Sequence, residues 1–124
     1  GNYITLTNLS EREIQRIIDL HISPVNISVH ATDPELRVRL LRNKNAGKCV
    51  DIMRRFAGGG IVMNCQIVCC PGLNDGKALM QTMQDLAAMY PAVHSVSIVP
   101  VGLTKYREGL YPLESFTPST RERR

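Results

Sequence analysis

The feature that most constrains this chain is a rhythm. Four short runs rich in β-branched and apolar residues alternate with segments of helical periodicity, in the order β-α-β-α-α-β-α-β. The runs are Tyr3–Thr7, Val25–His30, Ile61–Cys70 and His94–Val99. Strands separated by helix-length segments cannot be tied into tight hairpins, so the pattern predicts a parallel sheet with right-handed crossovers.

The helical segments carry their own punctuation. Ser10-Glu11-Arg12-Glu13 is a capping box, which opens a helix over about Glu11 to Leu20 with Ile14, Ile17 and Ile18 as its apolar stripe. Leu9 and Ile14 are spaced as a hydrophobic staple. Asp33-Pro34 starts a second helix lined by Leu36, Leu40 and Leu41, which Asn43–Gly47 interrupts. A third follows from about Lys48, with Val50, Met53 and Ala57 on one face, and Gly58-Gly59-Gly60 ends it. The last, stopped by Pro91, is expected to bury Leu79, Met83, Leu86 and Tyr90.

Two architectures satisfy this order: an open doubly wound sheet, or half of a (β/α) barrel. A doubly wound sheet has helices on both faces, so its central strands are apolar on both. Here Asn26, Ser28 and His30 alternate with Val25, Ile27 and Val29, and Asn64 and Gln66 alternate with Cys65 and Ile67. One polar and one apolar face suit a barrel with a polar lumen. The expected fold is therefore α/β, a half (β/α) barrel. It has four parallel strands in sequential order, helices on one face, an uncovered lumen and unpaired outer edges. Such edges template pairing, so the expected partner is the missing half of the barrel or a second copy.

Composition narrows the class. The 124 residues are 44% hydrophobic and 21% charged, values of an ordinary globular domain that needs no metal or disulfide to hold a core. No apolar run nears the roughly 18 residues of a membrane span, and Gly1–Thr5 has no basic leader, so we expect a cytoplasmic piece of a longer protein. The net charge of +4 is concentrated: Pro34–Ala57 holds seven basic and two acidic residues. A solvated helix face accounts for that patch better than nucleic acid, because aromatic side chains for base stacking are missing from it.

The cysteines exclude common metal motifs. Cys65 and Cys69 are followed by Cys70, where a C-x3-C-x2-C cluster loop would need a thiol at Gly72. On a strand, Cys70 points away from Cys65 and Cys69. With Cys49 on a helix, these read as buried structural thiols in a reducing compartment, and no metal ligand is assigned. The candidate site instead lies with polar residues near the carboxyl ends of the strands: Ser28, His30 and Gln66. His30 reads equally well as a core histidine bonded to a neighbour.

Three segments carry a resemblance. Ser28-Val29-His30-Ala31-Thr32-Asp33-Pro34-Glu35-Leu36-Arg37, with Arg39-Leu40-Leu41, resembles the fourth barrel strand and helix of radical S-adenosylmethionine proteins. Gln66-Ile67-Val68-Cys69-Cys70-Pro71-Gly72-Leu73-Asn74-Asp75-Gly76 is similar to their fifth strand and loop. Val99-Pro100-Val101-Gly102-Leu103-Thr104-Lys105-Tyr106-Arg107 is similar to the sixth strand of one subgroup. That subgroup comprises iron–sulfur oxidoreductase-like proteins of anaerobic bacteria, with a PDZ-like segment before the barrel and a domain of unknown function after it.

The resemblance implies that residues 1–103 are strands three to six of a partial barrel, and that 104–124 are a linker or the start of the following C-terminal domain. It places Ser28 and His30 at the ribose and methionine part of S-adenosylmethionine, and Arg37 or Arg39 near its carboxylate. Gln66 then lines the lumen and the backbone from Val99 to Val101 meets the adenine. The [4Fe–4S] cluster is expected on a C-x3-C-x2-C upstream. The implied activity of the complete protein is reductive cleavage of the cofactor to a 5′-deoxyadenosyl radical, with this segment alone inactive. The alternative is a non-catalytic ligand-binding or scaffold α/β domain.

Overall fold

A computed structural model of the chain describes residues 2–101. The expected linker at 104–124, and the far end of the sixth-strand resemblance, lie outside the described residues. The elements are α1 (Glu11–Asp19), β1 (Val25–Ser28), α2 (Pro34–Leu41), a 3₁₀ segment (Lys44–Lys48), α3 (Cys49–Gly58), β2 (Met63–Cys69), α4 (Gly76–Ala87) and β3 (Val93–Pro100). Each cap read from the sequence forms. Ser10 accepts from the Glu13 amide while the Glu13 carboxylate takes the Ser10 amide, and Asp33 caps α2 ahead of Pro34.

The strands make one open parallel sheet in the order β1-β2-β3. The amino end departs from the strand expected there. Tyr3–Thr7 does not form a strand; its pairing is a single parallel bridge between Ile4 and Ile27. The bridge has a sound ladder geometry, with the Ile4 amide donating to Asn26 at 2.9 Å and the Ser28 amide to Ile4 at 2.8 Å. Leu6 then adopts φ 58°, a left-handed conformation that turns the chain out of the ladder and drops the Leu6 side chain into the core. The fourth strand of the expected half barrel is thus reduced to one residue pair, and the sheet is open.

Strand alternation sorts the two faces. Val25, Ile27, Met63, Cys65, Ile67 and Val93 share one apolar core with Ile14 of α1, Ile52, Met53 and Phe56 of α3, and Leu86 of α4. Those three helices therefore pack on a single face of the sheet. Register puts Asn26, Asn64 and Ser95 in one row on the other face, and Ser28, Gln66 and Ser97 in the next. The first row is bonded across the strands: Asn64 donates to Asn26 at 3.2 Å and Ser95 to Asn64 at 2.9 Å.

The face of α4 differs from the expected one. Its inward residues are Thr82 and Leu86, with Leu79 partly buried, as is Met89 just past its end; Met83, and Tyr90 in the turn that follows, are exposed and border a groove beside β3. A buried threonine displaced the expected phase, because Thr82 takes a hydrogen bond from the loop after β1. No helix among the described residues is long and apolar enough to cross a membrane.

Close packing of α1 on α3 depends on a glycine. A Cβ at Gly59 would lie 2.5 Å from Ile18 Cγ2 and 3.1 Å from its Cγ1, and the β-branched Ile18 side chain has little rotamer freedom with which to yield. Gly59→Ala should cost about 1–3 kcal/mol in urea denaturation. Adding Ile18→Ala should recover part of that loss, whereas strictly additive costs would contradict the close approach.

Candidate functional site

The parallel strands end together, and the polar chemistry gathers at that carboxyl end. Ser28 and Gln66 are register partners on the polar face, and Val68 pairs with Val99 one row further on. All four are buried, at 3% exposure or less. Val99 packs with Val68, Cys70 and Val101 in a small apolar cluster. The structure thus brings Ser28, Gln66, Val99 and Val101 to one end of one sheet.

His30 lies just past β1 in a left-handed conformation, φ 64°. Its imidazole replaces the next residue of the ladder: Nδ1 accepts the Val68 amide at 3.0 Å. An accepting Nδ1 carries no proton, so in the neutral ring the hydrogen is on Nε2. That Nε2 is buried and has no hydrogen-bond partner among the described residues. Burial, followed by the nearby Arg37 cation, holds the His30 pKa down to about 3. The ring is therefore neutral at physiological pH and keeps a buried donor with nothing to donate to, an arrangement that costs about 1–3 kcal/mol when left unsatisfied.

Arg37 occupies a different role from the one expected. Its guanidinium is 1% exposed and donates to four backbone carbonyls. Nε reaches Val29 at 2.8 Å and Nη1 reaches Ala46 at 2.9 Å, while Nη2 reaches both Thr5 and Ser28 at 2.7 Å. Four of five N–H donors are engaged within the chain, which leaves little for a carboxylate. Arg39, two residues on, is exposed on α2 and borders a groove with Pro34, Glu35, Val38 and Gly47. None of the lumen residues lines that groove.

Two devices escaped the sequence reading. The Asn74 side chain, fully buried, donates to the carbonyls of His30 at 2.7 Å and Val68 at 3.0 Å, and accepts the Cys70 amide at 2.7 Å. The available signal was the turn sequence Pro71-Gly72-Leu73-Asn74-Asp75-Gly76, since asparagine in a turn bonds backbone groups. Thr32 in the β1–α2 loop donates from its hydroxyl to Asp85 at 2.7 Å, and its amide bonds Thr82. Nothing local in the sequence announces that pairing across 50 residues.

The thiols occupy separate environments. Cys49 and Cys65 belong to the large core, and Cys70 to the small cluster. Burial, then neighbouring Cys49, pushes the Cys65 pKa up to about 12. Burial, then Cys69 and Asp75, pushes Cys70 up to about 11. Cys49 and Cys69 are raised as well, chiefly by burial. Metal ligation needs thiolates, and these surroundings favour thiols. Among the described residues no group of three or more His, Cys, Asp or Glu side chains is placed to hold a metal ion.

The His30 geometry makes stability depend on pH with a defined sign. As pH falls below 6.5 an unfolded histidine gains its proton, while the folded ring stays neutral until about 3. The unfolded state then binds more protons, so stability drops toward acid by up to about 1.4 kcal/mol per pH unit. His30→Asn, which tolerates a left-handed backbone, should flatten that part of the profile; an unchanged slope would argue against a buried neutral ring. Arg37→Lys should lower stability by about 3–5 kcal/mol, because a lysine cannot satisfy four carbonyls in this plane.

No curated protein matches the chain. Residues 1–96, which include the whole of α1 to α4 and most of the sheet, match the family profile of the Radical SAM-like domain. On that match, across most of its length, this chain belongs to the Radical SAM-like domain family.

Proposed function

We propose that the carboxyl end of this sheet is one wall of an S-adenosylmethionine site in a radical SAM protein of the iron–sulfur oxidoreductase-like subgroup, working in the cytoplasm. The observation that carries the reading is the buried Nε2–H of His30, which has no hydrogen-bond partner among the described residues. A neutral donor held in place asks for an acceptor, and the ribose hydroxyls and carboxylate of this cofactor are acceptors. Ser28 and Gln66 add polar groups in adjoining positions. Val99 and Val101 offer the apolar surface and backbone that an adenine ring requires.

The residues fit the cofactor; they do not fit its cluster. Cys49, Cys65, Cys69 and Cys70 lack the C-x3-C-x2-C spacing; Cys49 and Cys65 lie in the large core, Cys70 in the small cluster and Cys69 in neither, and burial favours the thiol form of all four. We assign the cluster thiolates to another segment and derive no chemistry through them here. His30, Ser28 and Gln66 would hold S-adenosylmethionine, which, given one electron by a cluster on another segment, would part into methionine and a 5′-deoxyadenosyl radical. This chain's part is to hold the nucleoside by His30, Ser28 and Gln66 and to exclude water through the Val68–Val99 cluster. Arg37 keeps the end of β1 in place and Arg39 is left outside the site.

Calorimetric titration with S-adenosylmethionine tests this reading. Without a cluster iron to anchor the amino acid part, saturable but weak binding is expected, with a Kd of about 1 mM or somewhat tighter. His30→Asn and Gln66→Leu should each weaken it, while Arg39→Gln should leave it unchanged. No saturable binding, or binding indifferent to His30 and Gln66, would favour a scaffold domain without cofactor chemistry. Reconstitution with iron and sulfide should leave no bound iron that depends on Cys65, Cys69 and Cys70; about four irons per chain, lost on their replacement by serine, would overturn the assignment of these thiols.

A further inference from the structure

Among the buried polar side chains, Asn74 is placed to control the group on which the cofactor reading depends. It sits in the loop after β2, yet its amide reaches across to the end of β1. Both N–H donors and the carbonyl are engaged, on His30, Val68 and Cys70 backbone groups. The first two flank the imidazole. His30 supplies the ring itself, and Val68 supplies both the amide that bonds Nδ1 and the carbonyl that Asn74 takes.

His30 needs such a restraint. A left-handed backbone is unfavourable for a residue with a Cβ, and the next residue, Ala31, already folds back, its amide donating to Val29 at 2.7 Å. The His30 amide reaches Gln66 only at 3.5 Å, and the peptide that follows is held at both ends, by the Ala31 amide on Val29 and by the Asn74 side chain on the His30 carbonyl, each at 2.7 Å. With the peptide fixed, the ring meets the Val68 amide through Nδ1 alone, and the proton belongs on Nε2. Aspartate has the same shape without the donors, and serine has one donor where two are used.

We propose that Asn74 is a positioning residue: by clamping the ends of β1 and β2 it holds His30 in a single tautomer and orientation, so that Nε2–H is a fixed donor toward the ligand. The identity of that ligand rests on the cofactor reading above; the clamp itself does not.

The test is the histidine ¹⁵N spectrum of the full chain, with and without S-adenosylmethionine. In the parent protein the His30 signals should report a protonated Nε2 and a bare, hydrogen-bonded Nδ1. In Asn74→Ser the two tautomers should mix, and affinity for S-adenosylmethionine should fall by about tenfold, the equivalent of one neutral hydrogen bond. A His30 spectrum unchanged in Asn74→Ser would overturn the proposal. If the parent chain binds no S-adenosylmethionine, the cofactor reading fails, and the tautomer signature still decides the role of Asn74.

Folding provides a second arm. In a His30→Gly background, where a positive φ carries no strain, Asn74→Ser should lower the Tm less than it does in the parent chain. Should Asn74→Ser unfold the parent, a folded His30→Gly, Asn74→Ser double variant supports the clamp. Equal losses in both backgrounds would make Asn74 a loop residue with no hold on His30.

Discussion

The arrangement depends on one buried cation. Arg37 gathers the carbonyls of Thr5, Ser28, Val29 and Ala46 around a single guanidinium, joining the amino-terminal segment, the end of β1 and the 3₁₀ segment through α2. Taking a guanidinium out of water is costly, and only a nearly complete set of acceptors offsets it. Strand ends are where backbone carbonyls run out of ladder partners. The cation thus resolves two deficits together: its own charge and the orphan acceptors at the carboxyl end of β1. It also explains how β1, at four residues, can be an outer strand with a single bridge on its far side among the described residues.

Polarity at the site follows from that framework. With Ser28 and Val29 held by Arg37, the chain turns at His30, and the imidazole completes the ladder that the backbone has left. Asn74 closes the same gap from β2. Arg37 also acts electrostatically, since its charge, after burial, keeps His30 neutral. A neutral ring with one nitrogen committed is a donor and not a proton acceptor at Nε2. This suits binding and orientation and does not suit general base catalysis.

Much of this was legible in the sequence, and the misses have physical causes. The capping box at Ser10 and the Asp33-Pro34 start are local signals and form as expected; the strands expected over Val25–His30 and Ile61–Cys70 form over Val25–Ser28 and Met63–Cys69, with Ser28 and Gln66 buried on the face expected to be uncovered. The Tyr3–Thr7 run has strand composition, but the left-handed turn at Leu6 is a tertiary choice that buries one leucine. On α4, periodicity pointed to Met83 and Tyr90, whereas a Thr32–Thr82–Asp85 network across the fold set the helix rotation. Arg37 was visible as a basic residue in a basic stretch; that it faces inward to carbonyls while Arg39 faces water could be learned only from the packing.

On this reading the carboxyl end of the sheet meets a nucleoside cofactor. The most direct measurement is an amide ¹H–¹⁵N footprint during titration with S-adenosylmethionine. Saturable shifts are expected at Ser28, His30, Gln66, Ser97 and Val99, with α1 and α3 silent. Shifts centred on Val38, Arg39 and Gly47, or none that saturate, would contradict this reading.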